Sequence, residues 1–520
     1  MKFITAHKDI FALLAIVIVA GVLYAGTLKG LPGNPVPADF KGNLDDNAKP
    51  FELSPERGRF AQVMALGENG TYVLSRELAD IAYPDVGYIE GRFYSYFAPG
   101  LPFLATPAYL LGYEYGYSQV FTFAFISLVS ILTLLFLYKI GRNILKMPMW
   151  AALLAVFTFA FGSTAWSYAV TLYQHHVTAF FLISSFYAVW KFRQGGRFGW
   201  LWAVFAAVNV AVGMTVDYPN LLLLSPILAY LVLASVHGEV DKEEKVKISF
   251  HTGILPAALV FIAITAGHLY FNDVHFGGWD RLAGTLDSYK KIQESQQADP
   301  TLTPEQILEQ TRDKTAIGFF SERHLARGIG VLFFGSERSL FVYAPVFFLA
   351  IFGLAMALKQ IKGPEVGILL GSVLVTVFLY SSWGDPWGGW AYGPRYLIPA
   401  MAPLSLFVGY FVANSARRFL AWALTIILLL YSSAVALLGV LTTSAVPPYS
   451  EAAYLGTDWT YARNLDFLLD SHGSSFLYNT YLRPYGSLTE YYFVLYALLL
   501  IILISLVIAG VKKGHKENAV

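Results

Sequence analysis

The stretch Ser381-Ser382-Trp383-Gly384-Asp385-Pro386-Trp387-Gly388-Gly389-Trp390-Ala391-Tyr392-Gly393-Pro394-Arg395-Tyr396-Leu397 decides how this chain is read. Apolar runs over 365–381 and 397–413 flank it, each close to the length that crosses a bilayer as a helix. Between them sits a loop crowded with tryptophan and tyrosine, one aspartate and one arginine. Trp and Tyr favour the membrane–water interface, where an amphipathic ring keeps one end wet. Arg395 asks for more. A guanidinium beside hydrocarbon needs an anionic partner, and it grips phosphate in a bidentate manner. Two readings follow: an aromatic belt with a topology anchor, or a phosphate clamp for a lipid-linked substrate that Asp385, Trp390 and Tyr392 help to shape.

The same pattern extends outward. Of 520 residues, 56% are hydrophobic and only 14% charged, against roughly 25% charged in soluble domains. The fold class expected is an all-α polytopic membrane protein, a single unit over 1–520. Apolar runs at 10–26, 118–138, 150–165, 174–190, 199–216, 219–236, 250–270, 339–358, 365–381, 397–413, 418–441 and 490–511 suggest about twelve spans. The run 101–112 is shorter and reads as half-buried or interfacial. Met1 to Lys8 followed by the run Ile10–Gly26 is built like a signal peptide, but no A-x-A site follows, so it reads as the first span. A net charge of +1 gives no basic stripe for nucleic acid. The absence of cysteine excludes disulfides, thiolate catalysis and Cys-ligated zinc.

Positive charge sets the orientation. With the N-terminus cytoplasmic, the short loops holding Lys139, Arg142 and Lys146; Lys191, Arg193 and Arg197; Lys242, Lys245 and Lys247; Lys359 and Lys362; and Arg417 and Arg418 all fall inside, as does the C-terminus with Lys512 and Lys513. A cytoplasmic or inner membrane is the expected location. Three long polar segments, about 27–100, 271–338 and 442–488, then lie outside. The first holds many acids, among them Asp45, Asp46, Glu56 and Asp85, and the third is rich in Tyr, Asn and Ser. Segments 58–70 and 303–313 read as amphipathic surface helices, the second started by Thr303 and Pro304. No loop carries a Gly-rich phosphate cradle, which argues against an ATPase.

Chemistry is therefore expected outside and close to the membrane. A first-segment carboxylate could take a proton from a hydroxyl nucleophile. His175 and His176 head a helix after a short outer loop; adjacent histidines point to different faces, which disfavours a zinc pair and leaves substrate positioning or a structural role. Asp217 lies in another outer turn, as a functional acid or a turn cap. Arg338 stands at the outer mouth of a span, where it could pair with an acid or meet a phosphate. Aromatic faces pack on sugar C–H surfaces while arginine holds phosphate, so the set fits a lipid-phosphate-linked sugar. A transporter or flippase for lipid-linked saccharides is the alternative; the polar residues, however, gather at the outer boundary rather than at the bilayer midplane.

These motifs resemble the C-type integral-membrane glycosyltransferases, the group that includes protein O-mannosyltransferases and lipid A aminoarabinose transferases. Trp387 to Leu397 is similar to a WGGWSxGPRYL signature, Gly91 to Gly100 to a G-H-Y-Y-S-D-K-A-P-G stretch, and Trp166 to His176 to a loop that ends in a single His. The resemblance implies a polyprenyl-phosphate sugar donor, a lipid, glycan or protein acceptor, and an inverting transfer with a first-segment carboxylate as base. It implies no cofactor firmly, while allowing a divalent metal. Asp85, six residues before Gly91, and Glu56, aligned through Arg59-Phe60-Ala61 with an aspartate of the aminoarabinose transferases, compete for the base. The D-K pair of the second motif is Tyr96-Phe97 here, so the charge of that lysine would come from Arg59 or Arg338, beside Arg395.

Overall fold

The computed structural model describes residues 2–40, 51–240, 246–308, 318, 320 and 324–517. Asp45, Asp46, Lys242, Lys245 and the end of the 303–313 segment lie outside them. The chain is an all-α multi-pass membrane protein. Among the described residues, seven helices are long and apolar enough to cross a membrane: Lys8–Thr27, Ser118–Asn143, Gly199–Val216, Ile254–Phe276, Arg395–Asn414, Arg418–Leu441 and Leu488–Val511. The other apolar runs fold as helices that are shorter, such as Met149–Phe161 and Glu365–Ser381, or more polar, as with His175–Arg193.

Two helices form the centre. Ile398–Asn414 and His175–Arg193 are buried nearly all round, as expected of helices that carry no polar stripe. Their N-terminal ends meet: the His175 ring lies 5.9 Å from that of Tyr396. Arg395 and the two histidines therefore share one end of the bundle. At the other end, Asp9 accepts hydrogen bonds from Tyr138 (2.5 Å) and Arg142 (3.0 Å), and Glu365 accepts from Arg193 (2.6 Å) and Tyr230 (2.9 Å). The buried Glu365 and the half-buried Asp9 each meet two donors there, an arrangement that offsets the cost of a charge in a low-dielectric setting.

The polar segments fold together over the first end. Ser54–Asn69 is a helix with Pro55 in its first turn and Gly70 in a left-handed C-cap. It is not the surface helix its sequence suggests. Arg59 to Ala65 are buried, because the Gly100–Glu114 helix packs on it and the Arg92–Ser95 strand meets it through Gln62, whose Oε1 accepts from the Ser95 N–H. The Gly100–Glu114 helix itself buries one face and exposes Phe103, Leu110, Leu111 and Tyr113. Val86–Ile89 and Arg92–Ser95 form a hairpin turned by Glu90 and Gly91, both at positive φ (49° and 79°), the geometry of a two-residue turn that matches strand twist. Asp287–Ser288 adds a third strand from the second polar segment. The third polar segment clasps the end of the first helix: the Phe476 N–H donates to the Leu28 carbonyl (2.7 Å) and Ser475 Oγ to the Gly26 carbonyl (2.8 Å).

Candidate active site

Between these layers lies a cavity of about 530 Å³. The first helix ends at it with Lys29. The first polar segment supplies Glu52, Ser54, Glu56, Arg57, Asp85 and Phe97; the tryptophan-rich loop, Asp385, Trp390, Arg395 and Tyr396; the third polar segment, Thr442, Thr443, Arg463 and Phe467. Of the residues singled out in the sequence, Glu56, Asp85, Asp385, Trp390 and Arg395 line it, and Arg59, Arg338, His175, His176 and Tyr392 stand behind it.

The two carboxyl groups differ in surroundings. Asp85 is half-buried and accepts a hydrogen bond from Ser54 Oγ at 2.6 Å. Burial pushes its pKa up, opposed by the Ser54 hydroxyl and by the charges of Arg59, Arg57 and Arg395. Glu56 is buried, and both its oxygens are engaged: Oε1 accepts from the Thr171 hydroxyl and Oε2 from the Glu52 N–H at 3.2 Å. Burial, then repulsion from Glu52, pushes the Glu56 carboxyl up to about 7, with Lys29 and Thr171 working against the rise. Glu52 is tied to Lys29 Nζ at 2.7 Å, and Lys29 also donates to Ser444 Oγ at 2.9 Å.

The cations divide as sharply. Arg395 is 8% exposed. Its Nη2 donates to the Gly388 carbonyl at 2.6 Å, while the buried Nε and Nη1 find no hydrogen-bond partner among the described residues. Its guanidinium stands 5.4 Å from the ring centroids of Tyr173 and Tyr396. Such a buried cation with open donors is a costly arrangement in an isolated protein and a useful one for an anion. Arg59 lies 4.1 Å over the ring of Phe97, the residue at the lysine position of the G-H-Y-Y-S-D-K-A-P-G pattern. Burial draws the Arg59 pKa down to about 10, resisted most by Asp217. Arg338 is different. Fully buried, it donates to the carbonyls of Trp387 (3.1 Å), Glu337 (2.9 Å), Gly389 (3.2 Å) and Val446 (2.8 Å). It staples the tryptophan loop from behind, its donors engaged with backbone.

That loop is held in shape from within. Gly388 and Gly389 have φ of 72° and 61°, and a Cβ on Gly388 would stand 3.0 Å from Arg395 Nε. Asp385 Oδ2 caps the turn by accepting from the Gly389 N–H at 2.6 Å, and Trp390 Nε1 donates to Glu451 at 2.5 Å. Tyr392 is wholly buried, its hydroxyl donating to the Val435 carbonyl at 2.5 Å and its N–H to Tyr168 at 2.8 Å, so it anchors the loop and does not reach the cavity. His176 Nε2 sits 2.7 Å from the Ala165 carbonyl, a structural bond. His175 is stacked on Tyr173 and edges against Tyr396, one layer behind Arg395. Asp217 accepts from Gln174 at 3.2 Å and faces Arg59.

Reasoning from sequence missed Lys29, Glu52, Arg57 and the third polar segment. Lys29 carried one signal, a lone charge directly after an apolar run; the third segment carried none stronger than its composition. Among the described residues no three His, Asp or Glu side chains gather to hold a metal.

Residues 99–271, a third of the chain, match the family described as dolichyl-phosphate-mannose-protein mannosyltransferase. The matched stretch contains His175, His176 and Asp217; Glu56, Asp85 and Arg395 lie outside it. No curated protein matches the sequence. Among solved structures, ArnT from Cupriavidus metallidurans bound to undecaprenyl phosphate is 14% identical, with a TM-score of 0.48 over 96% of this chain and 76% of that one. The oligosaccharyltransferase AglB from Archaeoglobus fulgidus, in complex with an inhibitory peptide and a dolichol-phosphate, is 12% identical, with a TM-score of 0.43 over 91% and 60%. The family match bears out the resemblance to the C-type integral-membrane glycosyltransferases.

Proposed function

We propose that this membrane glycosyltransferase moves a sugar from a polyprenyl-phosphate donor to an acceptor hydroxyl, with inversion, on the side of the membrane opposite the basic loops. The observation that carries the reading is Arg395: a buried guanidinium with two open nitrogens, beside a cavity that also holds carboxyl groups. The family match over 99–271 supports the same class of donor.

In this reading Arg395 takes two oxygens of the donor phosphate, since its planar fork fits them better than an ammonium. Arg59, held on Phe97, supplies the second charge; Arg338 supplies none, its donors being engaged with backbone. Asp85 is the base. It lies on the cavity wall with cationic neighbours that favour its ionised form, and it accepts the acceptor hydroxyl's proton as that oxygen bonds to the anomeric carbon. The bond from that carbon to the phosphate oxygen breaks, and the polyprenyl phosphate leaves with its charge matched by the arginines. Donors preset for charge that develops on the leaving group favour the transition state over the ground state. Glu56, with both oxygens occupied, holds the cavity floor to Thr171 and Glu52.

The test is a reconstituted assay. In liposomes carrying a radiolabelled polyprenyl-phosphate hexose, the chain should release polyprenyl phosphate as sugar is transferred. Movement of intact donor across the bilayer without sugar release would instead establish a transporter. Orientation is checked in intact cells, where an impermeant thiol reagent should label Tyr454→Cys and spare Gln194→Cys. The reverse pattern would overturn the cytoplasmic placement of the termini in the cell membrane.

A further inference from the structure

Arg395 and Arg59 are both buried and come from different parts of the chain, the tryptophan loop and the Ser54–Asn69 helix. Like charges out of water repel, and each is costly by itself. Among the described residues neither meets a carboxylate at ion-pair distance. What both meet is one ring. The Tyr173 centroid lies 5.4 Å from the Arg395 guanidinium and 5.9 Å from that of Arg59. Each cation also has a ring of its own, Phe97 at 4.1 Å for Arg59 and Tyr396 at 5.4 Å for Arg395. Among the described residues Tyr173 is the ring common to the two. An aromatic face carries negative potential, and its pull on a cation strengthens where water is excluded.

The ring is itself fixed. Tyr173 is buried, edge-on to Tyr168 at 5.1 Å and parallel to the His175 ring at 6.1 Å. Tyr168 in turn accepts from the Tyr392 N–H at 2.8 Å, in the loop that carries Arg395. The Tyr173 hydroxyl is buried and finds no hydrogen-bond partner among the described residues, so what this side chain offers its neighbours is the ring.

We propose that Tyr173 is a positioning residue of the phosphate site: its ring holds the Arg59 and Arg395 guanidinium groups in place without neutralising either. A carboxylate in that position would pair with the arginines and compete with the phosphate for them. A ring face attracts a guanidinium and leaves its in-plane N–H donors open. The proposal rests on the transfer reading above, in which Arg395 meets the donor phosphate, and it gives His175 a use as the backing of that ring. The test measures binding of labelled polyprenyl phosphate, and of the matched neutral polyprenol, to the full chain in lipid nanodiscs. The unmodified chain should prefer the phosphate. Tyr173→Leu should weaken phosphate binding about 10–100-fold, and Tyr173→Phe should be much milder. Ring fluorines added one at a time to the Tyr173→Phe variant nearly keep its shape while draining negative potential from its face. Phosphate affinity should then fall stepwise, about tenfold over three fluorines, with thermal unfolding unchanged. Affinity indifferent to fluorination overturns the proposal, as does a Tyr173→Phe loss equal to that of Tyr173→Leu; if Arg395→Lys weakens phosphate binding in the same assay, the transfer reading stands. An unmodified chain that binds polyprenol as well as polyprenyl phosphate overturns both.

Discussion

Arginine is used in opposite ways at the two ends of this helix bundle. At the basic end, Arg142 and Arg193 each sit within 3.0 Å of a carboxylate, Asp9 and Glu365. At the cavity end, Arg395 and Arg59 are more deeply buried, yet no carboxylate of the described residues lies within ion-pair distance of either. The first arrangement satisfies charge inside the chain and ties helices together. The second leaves charge unsatisfied, held on aromatic rings and backbone carbonyls, at a cavity with acids close by but not in contact. A fold that pairs its arginines at one end leaves these two without a carboxylate at the other, the arrangement on which the proposed phosphate contact rests.

Four perturbations test that contrast, from the largest effect to the smallest. Asp85→Asn should lower transfer about 10²–10⁴-fold, the usual contribution of a positioned base, with donor binding kept; Glu56→Gln should cost less. Steady-state transfer and donor-binding assays on both variants decide the order, and the reverse ranking moves the base to Glu56. Arg395→Lys should lower transfer about 10²–10³-fold, as expected for a lost donor at a charged leaving group, with normal thermal unfolding. Near-normal turnover would return Arg395 to the role of anchor.

The third concerns pH. The Glu56 carboxyl sits at about 7 in the folded chain against an ordinary 4.5. A group whose folded value is raised contributes stability that is fully present below the unfolded value and is lost as pH rises through the folded one. Between pH 5 and 8 the unmodified protein should lose at most about 3 kcal/mol on this account, and Glu56→Gln should flatten the profile. Thermal unfolding in detergent across that range measures it; an unchanged slope in the variant assigns the pH dependence elsewhere. Last, Arg193→Ala should lower stability by about 1–3 kcal/mol, because the buried Glu365 carboxylate keeps the Tyr230 hydroxyl but loses its cation, while turnover per folded molecule stays the same. Loss of turnover there would erase the distinction between the two ends.

The helical membrane layout was readable because apolar length and one-sided basic charge are properties of composition along the chain. The place of Arg395 on the cavity wall was readable too, since a guanidinium inside an aromatic interface motif asks for an anionic partner. Three things were not. The Ser54–Asn69 helix carries Glu56, Arg57, Arg59 and Gln62 and so reads as solvated; only the hairpin, the Gly100–Glu114 helix and the cavity explain why those residues are covered. Arg338 and Arg395 look equivalent as sequence, and only the four carbonyls around Arg338 separate an arginine spent on backbone from one with open nitrogens. Nor did any motif mark the third polar segment, because its part in the cavity depends on a clasp to residues more than 400 positions earlier.

That clasp governs when the protein becomes complete during its synthesis. Lys29 bonds to Ser444, and Gly26 accepts from both Ser475 and Tyr491. The first helix enters the membrane long before those partners leave the ribosome, so the buried lysine and its glutamates wait in an unfinished outer face until the last helix is inserted. A nascent chain that stops before residue 442 therefore has neither the clasp nor the part of the cavity that the third polar segment lines. Assembly of the cavity is coupled to synthesis of residues 442–491.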